Sequence, residues 1–190
     1  MLPQIIGITG RKFNGKDTLG NYFVSKYGYK RMAFADALKN ACREIFGFND
    51  DQLYGDKKEE IDEYWGTSPR TIFQFVGTDL FRNQLENVIP QIEKKIWLKV
   101  IEKKILDEIK MNPDVRIVIT DVRFINECDM IKKMGGIILR VKRNNINNKS
   151  DTHQSEIEID NLNVNAEILN NGTMNEMFQY VTDFLIANSV

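Results

Sequence analysis

One stretch near the amino end leaves little freedom of fold. Gln4-Ile5-Ile6-Gly7-Ile8-Thr9 is a short apolar run of the kind that forms a buried strand. Residues 17–27 then carry Leu19, Tyr22, Phe23 and Val24 at helical spacing. Between them lies GRKFNGKDT, in which Gly10, four residues, Gly15 and Lys16 fit the pattern G-x-x-x-x-G-K-[ST]. A strand feeding a glycine loop that opens a helix is a unit of an α/β sheet, where ligands gather at the carboxyl ends of the strands. Backbone N–H groups of residues 11–16, those of Lys12 and Asn14 among them, are expected to wrap a phosphate with help from the positive end of the helix. Gly10 and Gly15 let the backbone come close, and Lys16 is placed to bridge two phosphates and neutralise their charge.

The loop departs from the pattern at one position. A hydroxyl should follow the lysine; Asp17 stands there instead, and the hydroxyl comes one residue late, at Thr18. A carboxylate beside a polyphosphate is repelled unless a cation lies between them, and magnesium accepts carboxylate oxygen readily. Asp17 is therefore expected to hold Mg²⁺, directly or through water, while Thr18 bonds a phosphate. The alternative is an acid favoured in the first helical turn by the helix dipole.

The remaining pattern alternates. Residues 29–34 read as a strand, 35–46 as a helix, and 69–85 and 91–111 as further helices. Residues 115–120 form the clearest inner strand, followed by a helix at 125–134 that Gly135-Gly136 stops. Strands at 137–141 and 166–169 follow, and Thr173 with Glu176 makes a capping box for a last helix to about Ala187. This is α/β alternation, predicting a three-layer α/β/α arrangement around a central parallel sheet of about five strands. Residues 49–67 and 143–155 look like loops; the first is the preferred mobile cover for a site and the second comes after it.

Bulk properties narrow the function. A chain of 190 residues that is 42% hydrophobic and 28% charged is expected to form one globular domain, 1–190. A net charge of −1 argues against nucleic acid as a partner but leaves room for small anions. Two cysteines and one histidine, His153, are too few for a disulfide framework or a structural zinc site. No apolar run suggests a membrane span or a leader segment, so the expected compartment is reducing and cytoplasmic. Phe178 and Tyr180, read as exposed on the last helix, permit a homodimer without requiring one.

A second group of residues suits a small polar ligand. In SPRTIFQFVGTD, Ser68 is a plausible N-cap and Pro69 suits the first helical position. Arg70, Gln74 and Thr78 then recur every fourth residue, while Ile72, Phe73, Phe75 and Val76 are expected in the core. Gly77 in mid-helix costs about 1 kcal/mol against alanine, which suggests a close approach to the backbone there. A solvated helix face gives the same spacing. After the inner strand, TDVRFINE offers Asp121 for a magnesium shell and Arg123 to pin an acceptor phosphate. Arg123 and Glu127, four apart, could equally pair with each other. Asp36 and Lys39 in FADALK suit a sugar or phosphate, or simply a cap and a surface lysine. Arg143, near another strand end, is a candidate for the donor base or its phosphates. Trp97 sits among Ile96, Leu98 and Ile101, where core packing is the leading reading and stacking on a nucleobase the other.

Taken together, GRKFNGKDT, FADALK, SPRTIFQFVGTD, TDVRFINE, DTHQSE and the NNGT helix start resemble the deoxynucleoside monophosphate kinases of bacteriophages and large DNA viruses, within the P-loop kinase group. The resemblance spans nearly the whole chain. It implies a P-loop NTPase fold and the reaction ATP + dNMP → ADP + dNDP, in host cytoplasm if the source is viral. It implies that Lys16, Asp17 and Thr18 serve ATP and magnesium, and that Arg70, Gln74, Gly77, Thr78, Asp121, Arg123 and Glu127 surround the monophosphate, with Trp97 in the same pocket. Lys16, Mg²⁺, Arg123 and Arg70 would supply the charge for transfer, with Asp121 counted among the catalytic residues through the magnesium shell, and no general base is needed for an anionic phosphate acceptor. The sequence departs at Asn14, where relatives often have Ser, and at Thr71, where some have Lys. A P-loop kinase of the dephospho-coenzyme A or phosphomevalonate type, or a nucleotide-binding regulator without catalysis, remains an alternative.

Overall fold

The computed structural model describes residues 2–144 and 159–188. His153 and DTHQSE, with most of the 143–155 loop, lie outside the described residues. In chain order come β1 (Ile5–Thr9), α1 (Lys16–Tyr27), β2 (Lys30–Met32), α2 (Phe34–Phe46), α3 (Asp50–Leu53) and α4 (Pro69–Gln74). They are followed by α5 (Ile96–Met111), β3 (Ile117–Val122), α6 (Ile125–Lys133), β4 (Ile137–Lys142), β5 (Ala166–Leu169) and α7 (Met174–Ala187). The chain divides into two compact units: Met1–Ala33 with Lys104–Val190, and Phe34–Lys103.

The first unit is built on a five-stranded sheet in the order β2-β3-β1-β4-β5, every pairing parallel. The expected parallel sheet is present with its expected strand number. Strand alternation divides the core. Ile6, Ile8, Val118, Leu139, Val141 and Ile168 pack with Leu19 and Phe23 of α1 and Met177, Val181 and Leu185 of α7. On the opposite face, the space a Gly7 side chain would take is filled by Ile131 of α6 and by Ile138 and Val122, the nearest atom 2.6 Å from that position. Each fully buried aliphatic of this kind contributes about 1.5–3 kcal/mol, which is why β1 tolerates no polar residue before Thr9. The Thr173 capping box forms as expected: its Oγ1 accepts the Glu176 N–H at 3.3 Å.

Two strand boundaries differ from expectation. β3 starts two residues late because its register is set by neighbours, Ile117 pairing with both Ile5 and Lys30. It also runs on to Val122, so Asp121 lies within the strand and not after it. Gly7 and Thr9 of β1 pair with Ile119 and Val122, so β3 carries one extra residue there, a bulge at Thr120-Asp121. β2 shrinks to Lys30–Met32. Phe178 is not exposed; it stacks on Tyr22 with ring centroids 4.0 Å apart, so only Tyr180, half exposed, remains of the apolar pair offered for a dimer.

The second unit departs more. The helix expected at 69–85 winds as an α-helix only through Gln74, then as a π-helix over Phe75–Arg82, with the Asn83 N–H reaching Thr78 O at 2.9 Å. The wider winding removes Thr78 from the four-residue face shared by Arg70 and Gln74. Phe75, expected in the core, is 55% exposed, while Ile72 and Val76 pack with Cys42, Phe48 and Leu53. The helix expected at 91–111 is broken: Glu93 and Lys94 take φ of 49° and 59°, which a right-handed helix cannot include, and α5 begins at Ile96. Segment 49–67 is tied internally. Asn49 and Gln52 form a capping box, Gln52 Nε2 donates to Asp62 at 2.7 Å, and Asp62 bridges to Thr67. Both cysteines are free and buried, and burial pushes the Cys42 thiol up to about 11. Among the described residues no helix is long and apolar enough to cross a membrane.

Candidate phosphate-binding site

The loop between β1 and α1 reverses the chain with three left-handed residues in six: Gly10 (φ 143°), Phe13 (φ 65°) and Gly15 (φ 100°). At Gly10 the reason is close approach, since a Cβ would stand 2.4 Å from the Val141 carbonyl of β4. Phe13 carries the conformation with a side chain, and its ring is 72% exposed under the Lys12 ammonium. A turn closes the loop, Asn14 N–H to Arg11 O at 3.3 Å. Lys16 opens α1 and folds back, Nζ donating to Arg11 O at 2.8 Å. Gly15 is the N-cap residue and has no side chain to satisfy the first-turn N–H groups of α1. Asp17 is exposed in that first turn and Thr18 half-buried beside it. The loop thus combines a glycine-bent backbone, a lysine folded over it and a helix N-terminus without a side-chain cap, the elements from which anion sites are built.

Beside the loop, Gly10, Arg11, Asn14, Val141, Arg143 and Asp160 help to line a cavity of about 340 Å³. Arg11 pairs with Asp160 at 2.5 Å across its rim. Arg140 is buried and occupied: it holds Glu167 at 2.6 Å and the carbonyls of Ile159 and Leu162 at 3.0 and 2.6 Å. Hydrogen bonds from Lys142 and Arg140 keep the Glu167 carboxyl below the usual carboxylate range. Arg143 is exposed at this cavity.

At the end of β3, Asp121 is half-buried on the bulge and Arg123 follows immediately. Glu127 is buried, its Oε2 accepting the N–H groups of Arg123 at 2.8 Å and Phe124 at 3.2 Å. That carboxylate therefore caps α6 and fixes the backbone from which Arg123 projects. The glycine loop, Asp121, Arg123, Glu127 and Arg143 all belong to the first unit.

Asp36, Lys39, Arg70, Gln74, Gly77, Thr78 and Trp97 belong to the second. Ser68 caps α4 as expected, its Oγ accepting the Thr71 N–H at 3.2 Å. Arg70 donates twice to Glu59 Oε1, at 3.2 and 2.9 Å. Gln74 and Thr78 are exposed. The close approach at Gly77 is made by the protein itself: a Cβ would lie 2.7 Å from Leu38, and the Trp97 indole N–H donates to its carbonyl at 2.8 Å. Trp97, half-buried, also packs 5.5 Å from the Phe81 ring. Asp36 lies in the first turn of α2, and Lys39 sits over the Tyr54 ring at 4.1 Å.

The model of the deoxynucleotide monophosphate kinase family matches residues 43–181. The chain belongs to this family. Among its relatives is a protein of Acanthamoeba polyphaga mimivirus ascribed the same activity, 38% identical over 181 residues, 93% of each chain. The deoxynucleotide monophosphate kinase of Enterobacteria phage T4 is 27% identical over 185 residues, 96% of this chain and 67% of that one. Solved kinases share the fold: shikimate kinase from Aquifex aeolicus has a TM-score of 0.52 at 14% identity, with 97% of each chain covered. Dephospho-CoA kinase from Campylobacter jejuni has 0.51 at 12%, over 98% and 99%.

In this member of the deoxynucleotide monophosphate kinase family, two loop contacts escaped the sequence reading. Asn170, just past β5, donates from Nδ2 to Asn14 O at 2.9 Å, and Asp160 pairs with Arg11. Each partner lies about 150 residues from the loop, 156 and 149 respectively, so no local spacing could flag them. The only available signal was NNGT itself, two side-chain amides at a strand end. Asn14 is buried and donates from Nδ2 to Val141 O at 3.0 Å.

Proposed function

We propose that this chain transfers the γ-phosphoryl group of ATP to a deoxynucleoside 5′-monophosphate, yielding ADP and the diphosphate. The observation that carries the reading is the loop at 10–16, with Lys16 folded inside a run of backbone donors, in a chain of this family. The N–H groups of the loop and of the first turn of α1 hold the donor's polyphosphate, and Lys16 exchanges the Arg11 carbonyl for phosphate oxygen. Arg143 and the cavity beside the loop take the base end of the donor. Arg123, on a backbone held by Glu127, is proposed to neutralise charge on the acceptor phosphate; Arg70, paired with Glu59, is proposed as a second cation for the reaction. Gln74, Thr78, Asp36 and Lys39 are proposed for acceptor recognition; Gly77 and Trp97 support that segment from within. The acceptor is already an anionic oxygen, so positioning and charge do the chemistry.

Magnesium fits the donor set on one condition. Among the described residues no three His, Cys, Asp or Glu side chains gather as a metal site. Asp17 and Asp121 would be the carboxylates turned to a magnesium ion bound with the donor's polyphosphate, and such an ion would supply charge neutralisation there. Asp17→Ala is expected to raise the Mg²⁺ concentration for half-maximal rate by about tenfold while leaving the melting temperature in place. An unchanged magnesium titration would remove Asp17 from the metal.

The reading is tested by ADP release with each dNMP and its ribo counterpart, run beside dephospho-coenzyme A and phosphomevalonate. Turnover with at least one dNMP, and none with the two metabolites, is the expected result. ATP binding without ADP release on any acceptor would make this a regulator instead.

A further inference from the structure

Asn170 stands outside the loop yet is tied to its centre. The residue directly follows β5, and its own N–H extends the β4–β5 pairing by donating to Lys142 O at 2.7 Å. Its side chain is thereby fixed against the loop, where Nδ2 donates to Asn14 O at 2.9 Å. The approach is close: a Cβ on Gly15 would lie 2.5 Å from the same Nδ2. On the other side Asn14 is anchored through its own Nδ2 to Val141 O, and its Oδ1 is left buried with no hydrogen-bond partner.

The peptide plane supplies the consequence. Asn14 C=O and Gly15 N–H belong to one trans peptide, in which the two bonds point in opposite directions. Drawing the carbonyl outward to Asn170 therefore turns the Gly15 N–H away from β5. We infer that Asn170 is a positioning residue: it locks the Asn14–Gly15 peptide so that the Gly15 N–H is presented to the donor's polyphosphate. Without that bond the peptide can flip, and the loop would then offer a carbonyl oxygen to an anion. The inference rests on the proposed ATP site and adds to it a residue that touches no substrate.

The test uses the full chain and three variants. Asn170→Ala removes the donor; Asn170→Asp keeps the shape but sets an acceptor against the Asn14 carbonyl. Thr173→Ala removes the nearby cap of α7 and reports what loss of stability alone does. Asn170→Ala and Asn170→Asp are each expected to raise KM for ATP about tenfold and lower kcat about tenfold, since a misaimed donor is lost to ground and transition states alike. KM for the dNMP should stay within about twofold, and Thr173→Ala should lower the melting temperature without this split. Calorimetry with ATP alone, in wild type and both Asn170 variants, separates the two claims. A wild type that binds no ATP sinks the nucleotide site itself. Equal ATP affinity in wild type and both Asn170 variants, or parallel changes in both substrates, overturns the positioning role while leaving the site standing.

Discussion

Lys16→Ala is expected to lower turnover by about 10³-fold, comparable to losing an arginine that stabilises a migrating phosphoryl group. The Lys16 ammonium folds back over the loop, where it already spans to the Arg11 carbonyl at 2.8 Å. Alanine leaves the backbone donors in place, so ATP should still bind, more weakly, while charge on the moving phosphoryl goes unneutralised. Stability should hardly change: residue 16 is half-buried at the first position of α1, and alanine is an excellent helix former. Lys16→Arg should recover little, because a planar fork does not fit where a flexible point charge sat. Initial rates of ADP release at saturating dNMP, with a thermal melt alongside, decide the matter. A variant with normal turnover would end the phosphate reading of the whole loop.

Gly10→Ala should strike fold and function together. At φ 143° an alanine is strained by about 1–3 kcal/mol before any contact is considered. The new Cβ would also meet the Val141 carbonyl at 2.4 Å, a backbone atom inside β4 that no rotamer change can move. Either the strand or the loop must shift. A total cost of about 3 kcal/mol corresponds to a fall of roughly 6–12 °C in melting temperature for a chain of this size. Because Val141 O also receives Asn14, displacement would pull the far side of the loop out of register and weaken ATP binding. Gly15→Ala is the informative contrast. There the obstacle is the end of the Asn170 side chain, which can swing away, so more stability should survive. Differential scanning calorimetry of both variants tests the ranking; equal melting points for Gly10→Ala and wild type would refute it.

The legible parts of the site were those with local signatures. Gly10, Gly15 and Lys16 stand at fixed offsets after an apolar strand, and their geometry follows from steric rules that act within a few residues. The caps at Ser68 and Thr173 were legible for the same reason. Glu127 shows the limit: its spacing to Arg123 was visible, but it meets the backbone N–H of that residue at 2.8 Å. Gly77 marked a close approach correctly, yet Leu38 and Trp97 make it.

From sequence alone came the parallel α/β sheet, the glycine loop between strand and helix, and the caps at Ser68 and Thr173, because hydrophobic period, glycine stereochemistry and capping all operate over short separations. Tertiary structure alone decided the bulge that carries Asp121, the π-winding after Gln74, the break at Glu93-Lys94 and the bond from Asn170 to the loop. The bulge depends on a strand register and the Asn170 bond on an amide some 156 residues away. Such pairings are selected by packing the finished core, and no window of adjacent residues encodes them.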